Sequence, residues 1–392
     1  IQDGWQSDEV AEALDLCLSC KGCKRDCPVG VDMATYKTEF LAQRYRGRRR
    51  PAAHYSMGAL PRWLHLVGKL PARVVDALNA AARGPLGAVA KRVGGIAPER
   101  AIPPIARRRF TRRGGLAASA VGSGVRSMVA LLHSHRSKAT MLSSPGADRP
   151  RLLLWPDTFT DHFSPAVGQA AVRVLEDAGY QVDLLDEPLC CALTWISTGQ
   201  LDTAKRVLRH TVDRLAALVG DAGPAGSVAH SPLVGLEPSC LAVLRHDAAA
   251  LLGADDPAVV VVARAAATLA EVLATTPGWV PPDLSGVVGV AQPHCHQHAV
   301  LGWEADRDLL ARAGAEVTAV GGCCGLAGNF GAERGHYDVS VAVAETALLP
   351  AVRAAGPDAV VLADGFSCRT QLDHLAGRRA LHLAELLARP RR

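Results

Sequence analysis

The sequence predicts an α/β protein in which a small all-helical lobe carrying a cysteine loop is followed by two repeated α/β lobes. Three observations predict it. A dense cysteine run lies between two helical patterns near the N-terminus; strand–helix–strand alternation begins at Arg151; and that alternation recurs with a cysteine pair at the corresponding place. The expected boundaries are a helical domain over 1–46, a helical and irregular basic linker over 47–150, a first α/β repeat over 151–250 and a second over 251–392.

In the helical lobe, Ser7 is placed to cap a helix with Asp8 and Glu9 in its first turn, and Val10, Ala13, Leu14 and Leu16 give it an apolar face. After the cysteine loop, Asp32 is placed to cap a second helix in which Met33, Tyr36, Lys37 and Phe40 share one side. The linker region shows helical patterns over 60–70 and 74–82. It then carries the basic run from Arg107 to Arg113, read as a solvated or interdomain segment, and Gly/Ser-rich stretches over 114–124 and 143–150.

From Arg151 the residues 152–155 read as a buried strand, 166–178 as a helix and 181–185 as the next strand. The first copy then runs through Cys190-Cys191, a helix over 201–218 and Gly235-Leu236-Glu237-Pro238-Ser239-Cys240. The second has Gln292-Pro293-His294-Cys295, then Cys323-Cys324, a helix over 339–352 and Asp364-Gly365-Phe366-Ser367-Cys368. Two related lobes therefore bring cysteines to equivalent strand ends.

The chain has 49% hydrophobic residues in 392, ample for a packed core, which excludes disorder throughout. A formal charge of +5 is too small and dispersed to point to nucleic acid. No stretch reaches the roughly 20 apolar residues of a membrane-spanning helix, so the expectation is a cytoplasmic protein, at most peripheral at the inner face of a membrane. The start at Ile1 reads as the C-terminal piece of a longer chain. Eleven cysteines in CxxC and CC clusters suit metal ligation in a reducing compartment better than disulfides.

Cys17, Cys20, Cys23 and Cys27 form CxxCxxCxxxCP, the bacterial ferredoxin spacing whose thiolates wrap a [4Fe–4S] cluster. Gly22 is expected to let backbone approach the cluster and Pro28 to turn the chain away, while Lys21, Lys24 and Arg25 offset its negative charge. Either Cys27 closes this cluster or it serves a second one. In the second repeat Cys295, Cys323, Cys324 and Cys368, with Gly322 and Gly325 flanking the pair, make a full ligand set for a second Fe–S cluster or zinc. The first repeat is poorer. It keeps Cys190, Cys191 and Cys240, but Asp157 and Thr158 stand where the opening cysteine would be, and Ala192 replaces the glycine. His294, His296 and His298 bracket Cys295 and are further candidate ligands.

These residues give a resemblance over nearly the whole chain. Residues 13–23, 31–37, 236–240, 322–328 and 365–369 resemble the iron–sulfur C-terminal region of bacterial FAD-linked 2-hydroxy acid dehydrogenases of the D-2-hydroxyglutarate type. Both repeats look like the cysteine-rich CCG domains also found in heterodisulfide reductases and in the glycolate and glycerol-3-phosphate dehydrogenase iron–sulfur subunits. In the fuller CCG pattern the last motif is CxxC, and here it is Glu237-Pro238-Ser239-Cys240 and Gly365-Phe366-Ser367-Cys368, each lacking the first cysteine. The resemblance implies an electron-transfer module without its own substrate site. Its partners would be an FAD-linked oxidase domain or subunit and an acceptor that is a quinone, a ferredoxin or a cytochrome. Two other readings are thiol–disulfide catalysis at the CCG lobes and a zinc-bearing assembly module.

Overall fold

The computed structural model describes residues 4–111, the backbone of 141–142, and residues 149–185, 187–220 and 231–389. The Gly/Ser-rich stretch over 114–124, most of that over 143–150, and Arg112 and Arg113 lie outside them. The expected N-terminal caps are present, but of the expected apolar face of the first helix only Leu14 is buried, while Ala13 and Leu16 are exposed. Ser7 Oγ accepts the Val10 amide at 3.2 Å and starts helix Asp8–Asp15, and Asp32 accepts the Thr35 amide at 3.0 Å and starts helix Met33–Arg44. The proposed face of that second helix is only partly right: Phe40 is buried, but Tyr36 is exposed, and Lys37 reaches back to the Cys17 carbonyl at 2.7 Å.

Helices Leu60–Val67, Ala72–Arg83 and Pro85–Gly94 follow. Within the basic run, Arg107 pairs with Asp76 at 3.0 Å and Arg109 with Asp161 at 3.4 Å, so these charges fasten the segment to the fold.

The rest is mixed helix and parallel sheet. Strands β1 (Met141–Leu142), β2 (Arg151–Trp155), β3 (Gln181–Leu185), β4 (Leu233–Gly235) and β5 (Ala266–Thr268) form one sheet in the order β1-β3-β2-β4-β5, parallel except at β1. Strands β6 (Val288–Ala291), β7 (Glu316–Ala319) and β8 (Val360–Leu362) form a second, all-parallel sheet in the order β7-β6-β8. Two features differ from expectation. The first sheet takes its last strand from beyond residue 250, so the sheets divide between 268 and 288, and the linker region contributes the edge strand β1.

Leucine and valine runs on β2 and β4 are buried on both faces, as central parallel strands require. One face of the first sheet packs on helices Leu201–Gly220 and Pro257–Ala265. The other packs on helix Pro165–Asp177 and runs into the second sheet region through Ala291, Leu309, Leu362 and the C-terminal helix Leu383–Leu387. The two sheets thus share one apolar core, which fixes the spacing of the cysteine loops at their ends. Among the described residues no helix is long and apolar enough to cross a membrane.

Candidate functional site

The cysteine pairs sit on matching turns. After β3, the Ala192 amide donates to Cys190 Sγ at 3.4 Å; after β7, the Gly325 amide donates to Cys323 Sγ at 3.4 Å. Both following residues are left-handed, Ala192 at φ 64° and Gly325 at φ 84°. The Ala192 backbone keeps the turn although the glycine is gone, at a steric cost of about 1 kcal/mol. Glycine is required in the second copy, because a Cβ on Gly325 would lie 2.1 Å from the Ser340 carbonyl oxygen. Gly322 is also left-handed, at φ 83°.

In the second sheet region the thiols converge. Cys323 is the hub: its neighbours Cys20, Cys295 and Cys324 raise its pKa well above the ordinary thiol value, and Cys324 does the same to Cys368. Cys295 and Cys324 are pushed well below the ordinary thiol value, Cys295 by its bond with Cys323 and by His294, Cys324 by its bonds with Cys323 and Cys368. Cys20 comes from the N-terminal loop, and its bond with Cys323 lowers its pKa as well. Five thiols from two parts of the chain therefore meet.

The first sheet region is electrostatically opposite. Cys191 and Cys240 lie 3.0 Å apart, sulfur to sulfur. The hydrogen bond with Cys191 favours the Cys240 thiolate, but burial beside Asp157 and Glu237 overrides it and pushes Cys240 up to about 12. Cys190 is held up by its hydrogen bond with Cys191 and by burial. Burial and the nearby Glu237 raise Asp157 itself to about 6. This region therefore offers three thiols, with the Asp157 carboxyl near Cys240.

The N-terminal loop carries Cys17, Cys20, Cys23 and Cys27, all half-buried. Its tight curl comes from Ser19 (φ 58°) and Lys21 (φ 61°) rather than from Gly22, where a Cβ would make only ordinary contact with Cys20 Sγ. The Met33 amide donates to Cys23 Sγ at 3.4 Å, and the amides of Val31, Val29 and Gly30 lower the Cys27 pKa after Pro28 turns the chain. The basic residues do not face the thiols as expected. Lys21 Nζ is buried between Asp247 (2.8 Å) and Asp32 (3.1 Å), Lys24 pairs with His246, and Arg25 donates to the His298 carbonyl at 3.0 Å. They dock the loop on the helices behind it.

His294 Nδ1 lies 3.9 Å from Cys295 Sγ and accepts the His296 amide at 3.1 Å. Burial opposes its charge, yet Cys295 and Glu237 raise His294 to about 9. A Cβ on Gly365 would lie 2.1 Å from the His294 ring, so that glycine admits the imidazole. His296 is buried with Nδ1 unpartnered, whereas His298 is exposed and pairs with Asp26 at 2.9 Å.

Sequence reasoning missed Glu237. It is 3% exposed, accepts the Ser239 hydroxyl and the Phe366 amide at 2.8 Å each, and so reaches from the first sheet region into the second. Its place in the Glu-Pro-Ser-Cys motif, where the fuller pattern has cysteine, was the available signal.

Among the described residues no three His, Cys, Asp or Glu side chains stand in metal-holding geometry. The fit to an iron–sulfur cluster is one of donor chemistry: thiols spaced on one loop, with backbone amides directed at sulfur.

Residues 158–245 match the family model described as a cysteine-rich CCG domain. The chain is 25% identical to D-2-hydroxyglutarate dehydrogenase of Escherichia coli (strain K12) over 395 residues, 97% of this chain and 34% of that protein. It is 25% identical to a subunit of anaerobic glycerol-3-phosphate dehydrogenase from the same strain over 243 residues, 59% of this chain and 56% of the relative. With lactate utilization protein A of Exiguobacterium sp. it shares 27% over 259 residues, 61% of this chain and 97% of the relative. The chain spans about a third of the length of the dehydrogenases it matches. No solved structure matches it. The chain thus carries a cysteine-rich CCG domain and is homologous to D-2-hydroxyglutarate dehydrogenases, to lactate utilization protein A and to a subunit of anaerobic glycerol-3-phosphate dehydrogenase.

Proposed function

We propose that this chain is the iron–sulfur electron-transfer part of an FAD-linked 2-hydroxy acid dehydrogenase, with Cys17, Cys20, Cys23 and Cys27 holding a [4Fe–4S] cluster. The observation that carries the reading is the contact of Cys20 with Cys323, which puts the ferredoxin-type loop directly against the thiols of the second sheet region. Homology along 97% of the chain to a dehydrogenase supports it. When bound, the cluster supplies one-electron steps between a flavin on a partner domain or subunit and an acceptor.

The chain's own residues hold that loop in place. Lys21 anchors it to Asp247, Lys37 holds the Cys17 carbonyl, and the amides after Cys27 orient that thiol. Cys295, Cys323, Cys324 and Cys368 form the second candidate site, for a further cluster or zinc, and Cys190, Cys191 and Cys240, whose pKa values are raised, serve as structural thiols. Iron and acid-labile sulfide on anaerobically purified protein test the reading. About four irons per chain, lost in Cys17→Ser, are expected for one cubane cluster; a chain without iron overturns it.

A further inference from the structure

The ends of β6 and β8 and the start of helix Glu304–Arg312 enclose a cavity of about 10 Å³, room for one water or one ion. Gln292, Gln297, Asp306 and Asp364 supply its polar lining, and Trp303 and Leu310 are among its apolar walls. No thiol borders it, so it stands apart from the site described above.

Two of the polar groups are carboxylates without a cation beside them. Asp306 is buried and hydrogen-bonds with Gln297; burial, with Asp364 and Glu271 near, pushes its pKa well above the carboxylate range. Glu271 is itself paired with Arg245 at 2.5 Å. Asp364 Oδ1 accepts the Leu383 amide at 2.8 Å and lies 3.6 Å from His382 Nδ1. That imidazole is neutral: Nδ1 accepts the Ala384 amide at 3.0 Å, so the ring proton is on Nε2, which donates to the Leu236 carbonyl at 3.0 Å. Among the described residues no Lys, Arg or His lines the cavity.

A third oxygen points the same way. Gln292 Nε2 donates to the carbonyls of Pro293 and Gly322, at 3.0 Å each, which fixes that end of the amide as nitrogen. Gln292 is only 3% exposed, and its Oε1 is buried with no donor among the described residues. Two carboxylates and an amide oxygen, without thiol or imidazole, are the donor set of a hard cation. Their two negative charges match a divalent ion. A space this small has no room for the waters that Mg²⁺ retains, whereas Ca²⁺ accepts bidentate carboxylates directly.

We propose that Asp306, Asp364 and Gln292 bind one Ca²⁺, and that the ion pins the strand ends that carry the thiols of the second sheet region. Gln292 stands three residues before Cys295 and holds the Gly322 carbonyl beside Cys323, and Asp364 stands four residues before Cys368. An ion between them joins the ends of β6 and β8 to helix Glu304–Arg312. The site does not depend on a cluster in the N-terminal loop.

The test uses the full chain treated with EGTA. Isothermal titration should give one Ca²⁺ per chain, with Mg²⁺ at least tenfold weaker, and millimolar Ca²⁺ should raise the unfolding temperature by several degrees. Tb³⁺, a luminescent stand-in for Ca²⁺, should emit by energy transfer from Trp303 and be displaced by Ca²⁺. Asp306→Asn and Asp364→Asn should each raise the Kd for Ca²⁺ at least tenfold, whereas Asp308→Asn, exposed on the same helix, should leave it unaltered. Trp303→Phe should lose the Tb³⁺ emission and keep Ca²⁺ binding, which locates the ion independently of the aspartate variants. Absence of Ca²⁺ binding by the wild type at millimolar concentration overturns the proposal and leaves a protonated Asp306 or a water in the space. Ca²⁺ binding unchanged in Asp306→Asn, or Tb³⁺ emission unchanged in Trp303→Phe, overturns it as well.

Discussion

The two sheet regions carry the same cysteine-pair turn on unequal frames. The first has five strands and an apolar core on both faces, and of its three thiols Cys191 and Cys240 are buried, Cys240 beside Asp157 and Glu237. The second has three strands, yet four of its thiols interlock with one another and with Cys20, beside His294. What separates them is the charge of the neighbours rather than the backbone, since the turn bonds match at 3.4 Å. Burial beside Asp157 and Glu237 raises Cys240, whereas the bond with Cys323 and the nearby His294 lower Cys295.

The sharpest way to break this comparison is at Lys21, which ties the cysteine loop to the scaffold. Lys21→Met leaves the buried Asp247 with His246 as its remaining partner and should cost about 3 kcal/mol in urea unfolding; a cost below 1 kcal/mol would show that the loop docks by other means. Asp157 comes next, with a similar magnitude but a pH signature. Its folded pKa of about 6 is raised from 3.8, so the folded state binds the extra proton between these values. Its contribution is therefore present at low pH and lost as pH rises through 6, a swing of about 3 kcal/mol at 1.36 kcal/mol per unit. Asp157→Asn should flatten that slope in denaturation curves at pH 4.5 and pH 7.5, and an unchanged slope would contradict the assignment.

The turn residues give smaller and opposite effects. Gly325→Ala forces a Cβ onto the Ser340 carbonyl and should destabilise by about 2 kcal/mol, combining left-handed strain with the clash. Ala192→Gly relieves the same strain without a clash and should stabilise by roughly 0.5 kcal/mol after the entropy of the added glycine is counted. Equal responses at the two positions would mean that the turns are less alike than their bonds indicate.

Much of this was legible in the sequence where the signal is local. Caps at Ser7 and Asp32, strands β2 and β3, and the two cysteine-pair turns all follow from neighbours a few residues apart. What escaped depends on distant partners. Lys21 reads as a charge beside a cluster until Asp247, 226 residues away, comes to meet it. Strand β5 is three residues of Ala-Ala-Thr, too short to give a period, and it joins the first sheet only through β4.

The central claim is that this chain carries electrons through a cluster on its N-terminal cysteine loop, with the second sheet region holding the competent thiols and the first the inert ones. The most direct measurement is iron, sulfide and zinc per chain, with the EPR spectrum after dithionite reduction, on wild type, Cys17→Ser, Cys323→Ser and Cys240→Ser. The account predicts about four irons and a reduced cubane signal in wild type, lost in Cys17→Ser, perturbed in Cys323→Ser and untouched in Cys240→Ser. Zinc without iron, or a cluster that disappears in Cys240→Ser, would contradict it.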